Sequence, residues 1–140
     1  IDTGPSKGPN TSAAIHASTH MLIPVEMEQQ SIEGLYGMIA LRTHENLTRD
    51  NQSRLELVGI LPNKFKVQRK RQNEFLDALK KDPKAGEFLL PSPLHDWTGY
   101  ADDAVPESEG GMPLFSRPPS DRVRKEFEEI AGTIVERIFK

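Results

Sequence analysis

The first residues place an acid directly after an apolar residue, in the order Ile1-Asp2-Thr3-Gly4-Pro5. Because Thr, Gly and Pro end regular structure, we expect Asp2 at the carboxyl end of a buried strand, just before a loop. Ligands of open α/β sheets bind at this end of the strands, where a carboxylate can hold Mg²⁺ or order a water molecule. The alternative for Asp2 is a frayed, solvated terminal carboxylate.

The densest group of cationic side chains lies between residues 64 and 71. Its members are Lys64, Lys66, Arg69, Lys70 and Arg71. They begin on a predicted loop and continue along one predicted helix, where they could neutralise DNA phosphates without reading sequence. The alternative is an ordinary solvated helix face.

The composition excludes several classes of function. The 140 residues carry a formal net charge of −3, so nothing global demands a nucleic-acid or anionic-membrane partner. The absence of Cys excludes disulfides and thiolate metal sites. No apolar run approaches the length of a membrane span. An apolar fraction of 36% and 11 prolines predict a modest core and long loops.

The remaining polar residues show no catalytic pattern. The four histidines share no metal-ligand spacing, and four candidate acids lie on separate elements or adjacent on a loop. These residues are His16, His20, His44, His95, Glu33, Asp96, Asp102 and Asp103. Trp97 and Tyr100 are expected to anchor the long Pro-rich loop to the domain, or to meet a partner protein.

Hydrophobic periodicity predicts alternating strands and helices. Helices are expected over 13–17, 29–46 and 66–81 and from a cap at Ser120, and strands over 21–25, 55–61 and 88–90. The first of these strands is a continuous apolar run, typical of burial on both faces, and Pro24 should end its ladder. Val67 should point inward with its helix, and the last helix should pack its stripe from Phe127 to Ile138 on the sheet.

This order of elements indicates βαβ units, a parallel sheet and an α/β fold. In such a sheet the carboxyl ends of the strands share one rim. That rim should gather Asp2, Pro24, Asn63, Pro91 and Ser92, and a ligand should bind there.

Taken together, the motifs resemble the ParA/MinD family of deviant P-loop ATPases. The motifs are Ile-Asp-Thr-Gly-Pro-Ser at 1–6, Leu-Ile-Pro-Val at 22–25, Ser-Ile-Glu-Gly-Leu at 31–35 and Gly-Ile-Leu-Pro-Asn at 59–63. The resemblance implies a partial P-loop NTPase-like parallel sheet flanked by helices. Residues 1–140 would form the C-terminal half of a single three-layer α/β/α domain.

The resemblance also assigns roles to individual residues. Asp2 matches the Walker B acid, which helps hold Mg²⁺ through water. Asn63 occupies the place where family members present a side chain to adenine, and its amide can donate to and accept from a purine edge. Pro91 and Ser92 match the loop that packs near the base, although Pro93 fits that place as well.

The chain departs from the family pattern in one decisive respect. It lacks the Gly-rich Lys-Thr/Ser phosphate loop and the acid that follows it, so residues 1–140 alone should not hydrolyse ATP. Gly4 replaces a Pro common in the family, which should loosen the loop after Asp2. The chain begins at Ile1 without Met or a preceding apolar run, and we expect it to be the second half of a longer protein.

The implied function is an ATP-dependent dimerising switch for plasmid or chromosome partitioning or cargo positioning. The expected cofactors are ATP and Mg²⁺, and the expected partners are a second subunit, nonspecific DNA and a ParB-like stimulating adaptor. The location would be cytoplasmic and nucleoid-associated, without a membrane partner. The alternatives are a non-catalytic interaction or regulatory module, or another P-loop relative such as a metabolic ligase or a cellulose-synthesis accessory protein. A half-sheet should also be poorly stable unless something covers its open edge.

Overall fold

The structure, a computed structural model, describes residues 1, 8–50, 53–103 and 105–140. Within these ranges the α-helices are α1 (Pro9–Ala17), α2 (Gln29–Thr48), α3 (Lys70–Lys80), α4 (Thr98–Asp103) and α5 (Arg122–Ile138). The strands are β1 (His20–Glu26) and β2 (Glu56–Asn63). Short 3₁₀ turns cover Gly86–Phe88, Glu107–Glu109 and Leu114–Ser116.

The two strands form a parallel pair connected by α2, which confirms the predicted α/β class. Their register runs from His20 opposite Glu56 to Glu26 opposite Asn63, with an irregularity between Met21 and Leu22. Parallel strands need a crossover of this kind because the end of the first strand and the start of the second lie at opposite ends of the sheet.

A third segment follows β2 without becoming a strand. The prediction of a strand over 88–90 is wrong, because Gly86–Phe88 is a 3₁₀ turn and only Leu89 makes an isolated parallel bridge, to Ile60. The turn forms because the Asp82 carboxylate accepts hydrogen bonds from the amides of Lys84 and Ala85, which bends the chain before it reaches β2.

Two details of β1 differ from the prediction. The strand continues through Pro24 to Glu26, and Leu22 and Pro24 on one of its faces are exposed rather than buried. The other face, with Met21, Ile23 and Val25, is buried. Pro24 is compatible with the strand because β1 has a neighbour on one side only among the described residues, and an edge strand tolerates a missing N–H.

The larger core lies on the face of the sheet that α2 covers. It joins residues of both strands to Leu35 of α2 and to Leu76 and Leu79 of α3. The C-terminal end of α2 is fixed by Asn46. Its side chain accepts a hydrogen bond from the amide of Leu55 at 2.8 Å and donates one to the Leu55 carbonyl at 3.1 Å. The predicted end of this helix near 46 is therefore two residues short.

A smaller core lies on the opposite face, under α5. Leu61 of β2 packs there with Leu90 and Ile130, and Ile134 adds to the cluster. The apolar stripe of α5, predicted to pack on the sheet from Phe127 to Ile138, is only partly buried. Phe127 and Val135 remain exposed.

The helix starts also differ from the prediction. The segment 66–69 is a turn rather than helix, because Gln72 and Asn73 bond back to the backbone of Lys66 and Val67. Val67 is consequently 57% exposed instead of inward. Asp121, not Ser120, caps α5 and accepts hydrogen bonds from two amides of its first turn.

Ile60 is one of the fully buried residues of the larger core, with a side chain that is 0% exposed, so its truncation should be costly. Replacing Ile60 by Ala should lower the free energy of unfolding by about 2–5 kcal/mol through lost burial and a cavity. Urea unfolding followed by circular dichroism measures this change. The control is Leu47→Ala on α2, where Leu47 is 78% exposed and the change should stay within about 0.5 kcal/mol. Equal losses for both variants would contradict the assigned core.

Candidate functional site

The carboxyl ends of the strands meet at one rim, as the sequence predicts for parallel strands. Glu26 and Asn63 are opposite each other at the ends of β1 and β2. The segment that follows Leu90 reaches the same rim, because the Leu94 amide donates to the Pro62 carbonyl at 2.8 Å and the Phe65 amide donates to the Leu94 carbonyl at 3.0 Å.

Asn63 ends β2 with a tight turn. Its Oδ1 accepts from the amide of Lys64 at 2.9 Å, and Lys64 adopts a left-handed conformation with φ of 50°. Asn stabilises such turns by accepting a hydrogen bond from the backbone of a following residue. The Nδ2 amino group of Asn63 donates no hydrogen bond among those the structure describes, so it can serve a ligand at the rim.

Pro91 and Ser92 lie in the segment beside this turn but face different surroundings. Pro91 is exposed, whereas the Ser92 hydroxyl donates to Oε1 of Glu129 on α5 at 2.5 Å. Ser92 is therefore held by the last helix, and Pro91 is the more accessible of the two. Asp2 lies outside the described residues, so its position relative to this rim is a prediction only.

The five cations of the basic cluster are in different environments. Lys64 Nζ lies 2.8 Å from Glu26 Oε1, and Lys66 Nζ lies 2.6 Å from Asp96 Oδ2. The bond to Glu26 raises the pKa of Lys64, and the bond to Lys66 lowers the pKa of Asp96. These two lysines are partly neutralised on the loop after β2.

The other three cations lie at the N-terminal end of α3. Arg69 is the N-cap residue, Lys70 and Arg71 follow it, and no acid occupies the first turn. All three are exposed, and Lys70 has only a 3.8 Å ion pair with Glu74. The helix macrodipole is positive at this end, so cations here destabilise the helix by a few tenths of a kcal/mol to about 1 kcal/mol each.

A half-buried carboxylate that sequence reasoning missed organises the neighbouring loop. Glu126 of α5 accepts from the His95 amide and Nδ1, from Trp97 Nε1 at 3.1 Å and from the Tyr100 hydroxyl at 3.0 Å. The His95 and Trp97 rings stack at 5.0 Å, and the guanidinium of Arg122 lies 3.2 Å from the Trp97 ring centroid. Trp97 and Tyr100 thus anchor the Pro-rich loop, as expected. The sequence shows three side chains that can donate hydrogen bonds, His95, Trp97 and Tyr100, within six residues. It does not show their common acceptor, Glu126, because that residue is 26 to 31 positions further along the chain.

Beside this anchor, a cleft of about 480 Å³ is lined by Ser92, Pro93, His95, Ser120, Arg122, Lys125, Glu126 and Glu129. It contains charges of both signs, so it has no net preference for an anion or a cation.

Among the described residues no helix is long and apolar enough to cross a membrane. No group of three His, Asp or Glu that could hold a metal ion occurs in that part of the chain.

The architecture is a parallel α/β arrangement in which Glu26, Asn63 and the segment after Leu90 meet at the carboxyl ends of the strands, the place where open α/β sheets in general bind ligands. Two curated proteins of Escherichia coli, both named Protein IncC, are similar to this chain. One is 36% identical over 116 residues, which cover 82% of this chain and 30% of the relative. The other is 34% identical over 85 residues, 58% of this chain and 22% of the relative.

The chain thus spans less than a third of the length of the relatives it matches. No protein-family model matches the sequence. The similarity to IncC supports a relationship to the ParA-like family, in agreement with the resemblance of the sequence motifs.

Replacing Glu126 by Gln should lower the pKa of Tyr100. Burial and the nearby Glu126 carboxylate raise the pKa of Tyr100 above its ordinary value of 10. Gln keeps an acceptor oxygen but removes the negative charge that disfavours tyrosinate, so the pKa should fall while burial keeps it above 10. Alkaline spectrophotometric titration in a Tyr36→Phe background, which leaves one Tyr, measures the shift.

Glu128→Gln is the matched control, because Glu128 pairs with Arg124 on the solvent side of α5. It should leave the Tyr100 titration and the fluorescence of the single Trp unchanged. A Tyr100 titration that is the same in both variants would contradict the anchoring role of Glu126.

Proposed function

We propose that the intact protein is a ParA-type partition ATPase, an ATP-dependent switch that dimerises, and that residues 1–140 are the C-terminal half of its single P-loop domain. The observation that carries this proposal is the 36% identity to IncC over 82% of the chain. The sequence motifs that resemble the ParA/MinD family are a second, independent support. Because the match covers 30% of the relative, the phosphate-binding half would be supplied by sequence outside these residues.

In this proposal the rim supplies the base-binding wall of a nucleotide site. Asn63 would meet the adenine edge, with Pro91, or Pro93, packing near the base and Ser92 held back by Glu129. Asp2 would hold Mg²⁺ through water, since carboxylate oxygens suit this hard cation. The phosphate loop would come from the other half, and residues 1–140 alone would not hydrolyse ATP.

Asn63→Asp in the full-length protein tests the adenine assignment. Asp keeps the acceptor that holds the Lys64 amide but removes the Nδ2 donor, so the turn should persist while ATP binding weakens about tenfold, the loss of about one hydrogen bond. Calorimetric titration with ATP measures the affinity. Thr43→Ala is the control, because Thr43 is exposed on α2 and its hydroxyl donates to the Ile39 carbonyl of the same helix, and it should change the affinity less than threefold.

Unchanged ATP affinity in Asn63→Asp would contradict the assignment of Asn63. No ATP binding by the unmodified full-length protein would overturn the switch and favour a non-catalytic interaction module that retains the half-sheet.

We further propose that the start of α3 binds the DNA backbone without sequence preference. The support is the unfavourable placement of Arg69, Lys70 and Arg71 at the positive end of a helix, without an acid in the first turn. Residues that oppose the helix dipole in this way are expected where a functional partner supplies a compensating negative charge. Lys64 and Lys66 flank this group, and their ion pairs with Glu26 and Asp96 make them weaker candidates.

The double variant Arg69→Glu, Arg71→Glu should bind DNA more weakly and fold more stably. Each lost phosphate contact should reduce the slope of log affinity against log salt by about 0.9, so the slope should fall by about 2. Removal of the dipole repulsion should raise the melting temperature at the same time. Fluorescence anisotropy with a DNA duplex at several salt concentrations measures the slope.

The control is Lys80→Glu, Lys81→Glu, which reverses the same number of charges at the other end of α3. It should retain the salt slope of the unmodified protein. Equal loss of DNA binding in both double variants would show a general charge effect and contradict a site at the start of α3.

The remaining elements of the proposal follow from the same relationship. A second subunit would complete the switch, a ParB-like adaptor would stimulate hydrolysis, and the protein would act on the nucleoid in the cytoplasm. Gly34 on α2 is exposed, and a Cβ there would meet nothing within 4 Å. The described packing does not require this glycine, which is compatible with close approach of another surface.

A further inference from the structure

The segment 94–96 pairs with the chain on both sides of Asn63. Its first amide donates to the Pro62 carbonyl at 2.8 Å, and its first carbonyl accepts from the Phe65 amide at 3.0 Å. Its last amide donates to the Phe65 carbonyl at 3.1 Å. Because these three hydrogen bonds bracket the turn that begins at Asn63, the position of this segment determines where the turn lies.

The opposite side of the same segment is held by Glu126 of α5. Successive amides of an extended chain point to opposite sides, so the His95 amide points away from β2. It donates to Glu126 Oε1 at 3.0 Å, and Nδ1 of the His95 ring lies 2.5 Å from Oε2. The Tyr100 hydroxyl also donates to Oε1 and Trp97 Nε1 to Oε2. Each oxygen of this one carboxylate therefore accepts two hydrogen bonds.

The contact between this carboxylate and the loop is shielded from water. The side chain of Glu126 is 12% exposed and that of His95 is 20% exposed, so water competes weakly for their hydrogen bonds. The ring of Phe65, a residue that is 4% exposed, meets the His95 ring edge-on at 5.7 Å. The position of α5 is thus transmitted to a residue two places after Asn63.

We propose that Glu126 is a positioning residue of the nucleotide-binding rim and that it acts on Asn63 through the segment 94–96. This inference rests on the proposed function, in which Nδ2 of Asn63 meets the adenine edge. A hydrogen bond weakens steeply when its angle or length departs from the optimum, so a small displacement of the turn would remove most of the bond to the base. Glu126 binds the loop, so its effect is on recognition of the base and not on contacts with phosphates.

Glu126→Ala in the full-length protein should weaken ATP binding about tenfold, as expected for Asn63→Asp, because both variants lose the same hydrogen bond to the base. Binding of inorganic triphosphate, which has no base, should change by less than about twofold. Calorimetric titration with each ligand in the presence of Mg²⁺ measures the two affinities. Glu128→Ala is the matched control, because Glu128 pairs with Arg124 on the exposed side of α5, and it should change neither affinity.

A double variant separates positioning from a general weakening of the fold. If Glu126 acts through Asn63, adding Glu126→Ala to Asn63→Asp should weaken ATP binding by less than about a further threefold. Independent losses that multiply to about a hundredfold would overturn the proposal, and so would equal losses of ATP and inorganic triphosphate binding.

Glu126→Gln provides a second variant that retains an acceptor oxygen for the His95 amide. It should lose about two- to fivefold in affinity, again for ATP and not for inorganic triphosphate. A loss as large as that of Glu126→Ala for both ligands would contradict the positioning role. Circular dichroism of each variant ensures that the titrations report the native fold.

Failure of this inference is distinguishable from failure of the proposed function. Unmodified protein that binds neither ATP nor inorganic triphosphate would overturn the ATP-dependent switch and this inference with it. Weaker ATP binding in Asn63→Asp together with unchanged ATP binding in Glu126→Ala would overturn the positioning role alone.

Discussion

The strand β2 is the element on which the rest of the structure depends, because it is buried on both faces. Ile60 enters the larger core with α2 and α3, and Leu61 enters the smaller core under α5. The edges of β2 are also occupied, by β1 on one side and by the segment that bridges through Leu89 on the other. A displacement of β2 would consequently disturb both cores and the rim at its carboxyl end.

A few polar side chains hold the irregular segments against this strand. Asp82 accepts from the Tyr36 hydroxyl and from two backbone amides, and Glu126 gathers the donors of the loop after His95. Arg137 satisfies carbonyls on both β2 and the adjoining segment. Loops rich in Pro have few backbone donors to offer, so long-range side-chain bonds of this kind position them instead.

Charge is distributed so that the rim and the start of α3 have different properties. At the rim, Lys64 and Lys66 are partly neutralised by Glu26 and Asp96, and Asn63 is a neutral polar group whose Nδ2 donates no hydrogen bond within the described part of the chain. At the start of α3, cations accumulate against the helix dipole. The first arrangement suits recognition of a neutral base edge, and the second suits a polyanion. The proposed switch uses both.

The sequence by itself determined the elements whose patterns are local. The apolar runs of β1 and β2, the helical spacing of α2 and the predicted end of α3 near residue 81 all correspond to structure that is present, and the order of elements predicted the parallel sheet. The positions of Asn63 and Pro91 near one rim followed from that order, because parallel strands end on the same side. The helix boundaries shifted by a few residues where Gln72, Asn73 and Asp121 bonded to the backbone.

Only the tertiary structure decided which surfaces are covered and which charges are paired. An apolar run shows that a strand can be buried, but the exposure of Leu22 and Val135 depends on which helix lies over which strand. The pairing of Lys66 with Asp96 and the role of Glu126 depend on segments about 30 residues apart meeting at one place. Periodicity reports the conformation of neighbouring residues, whereas burial and ion pairing are set by contacts between segments that only the folded chain brings together.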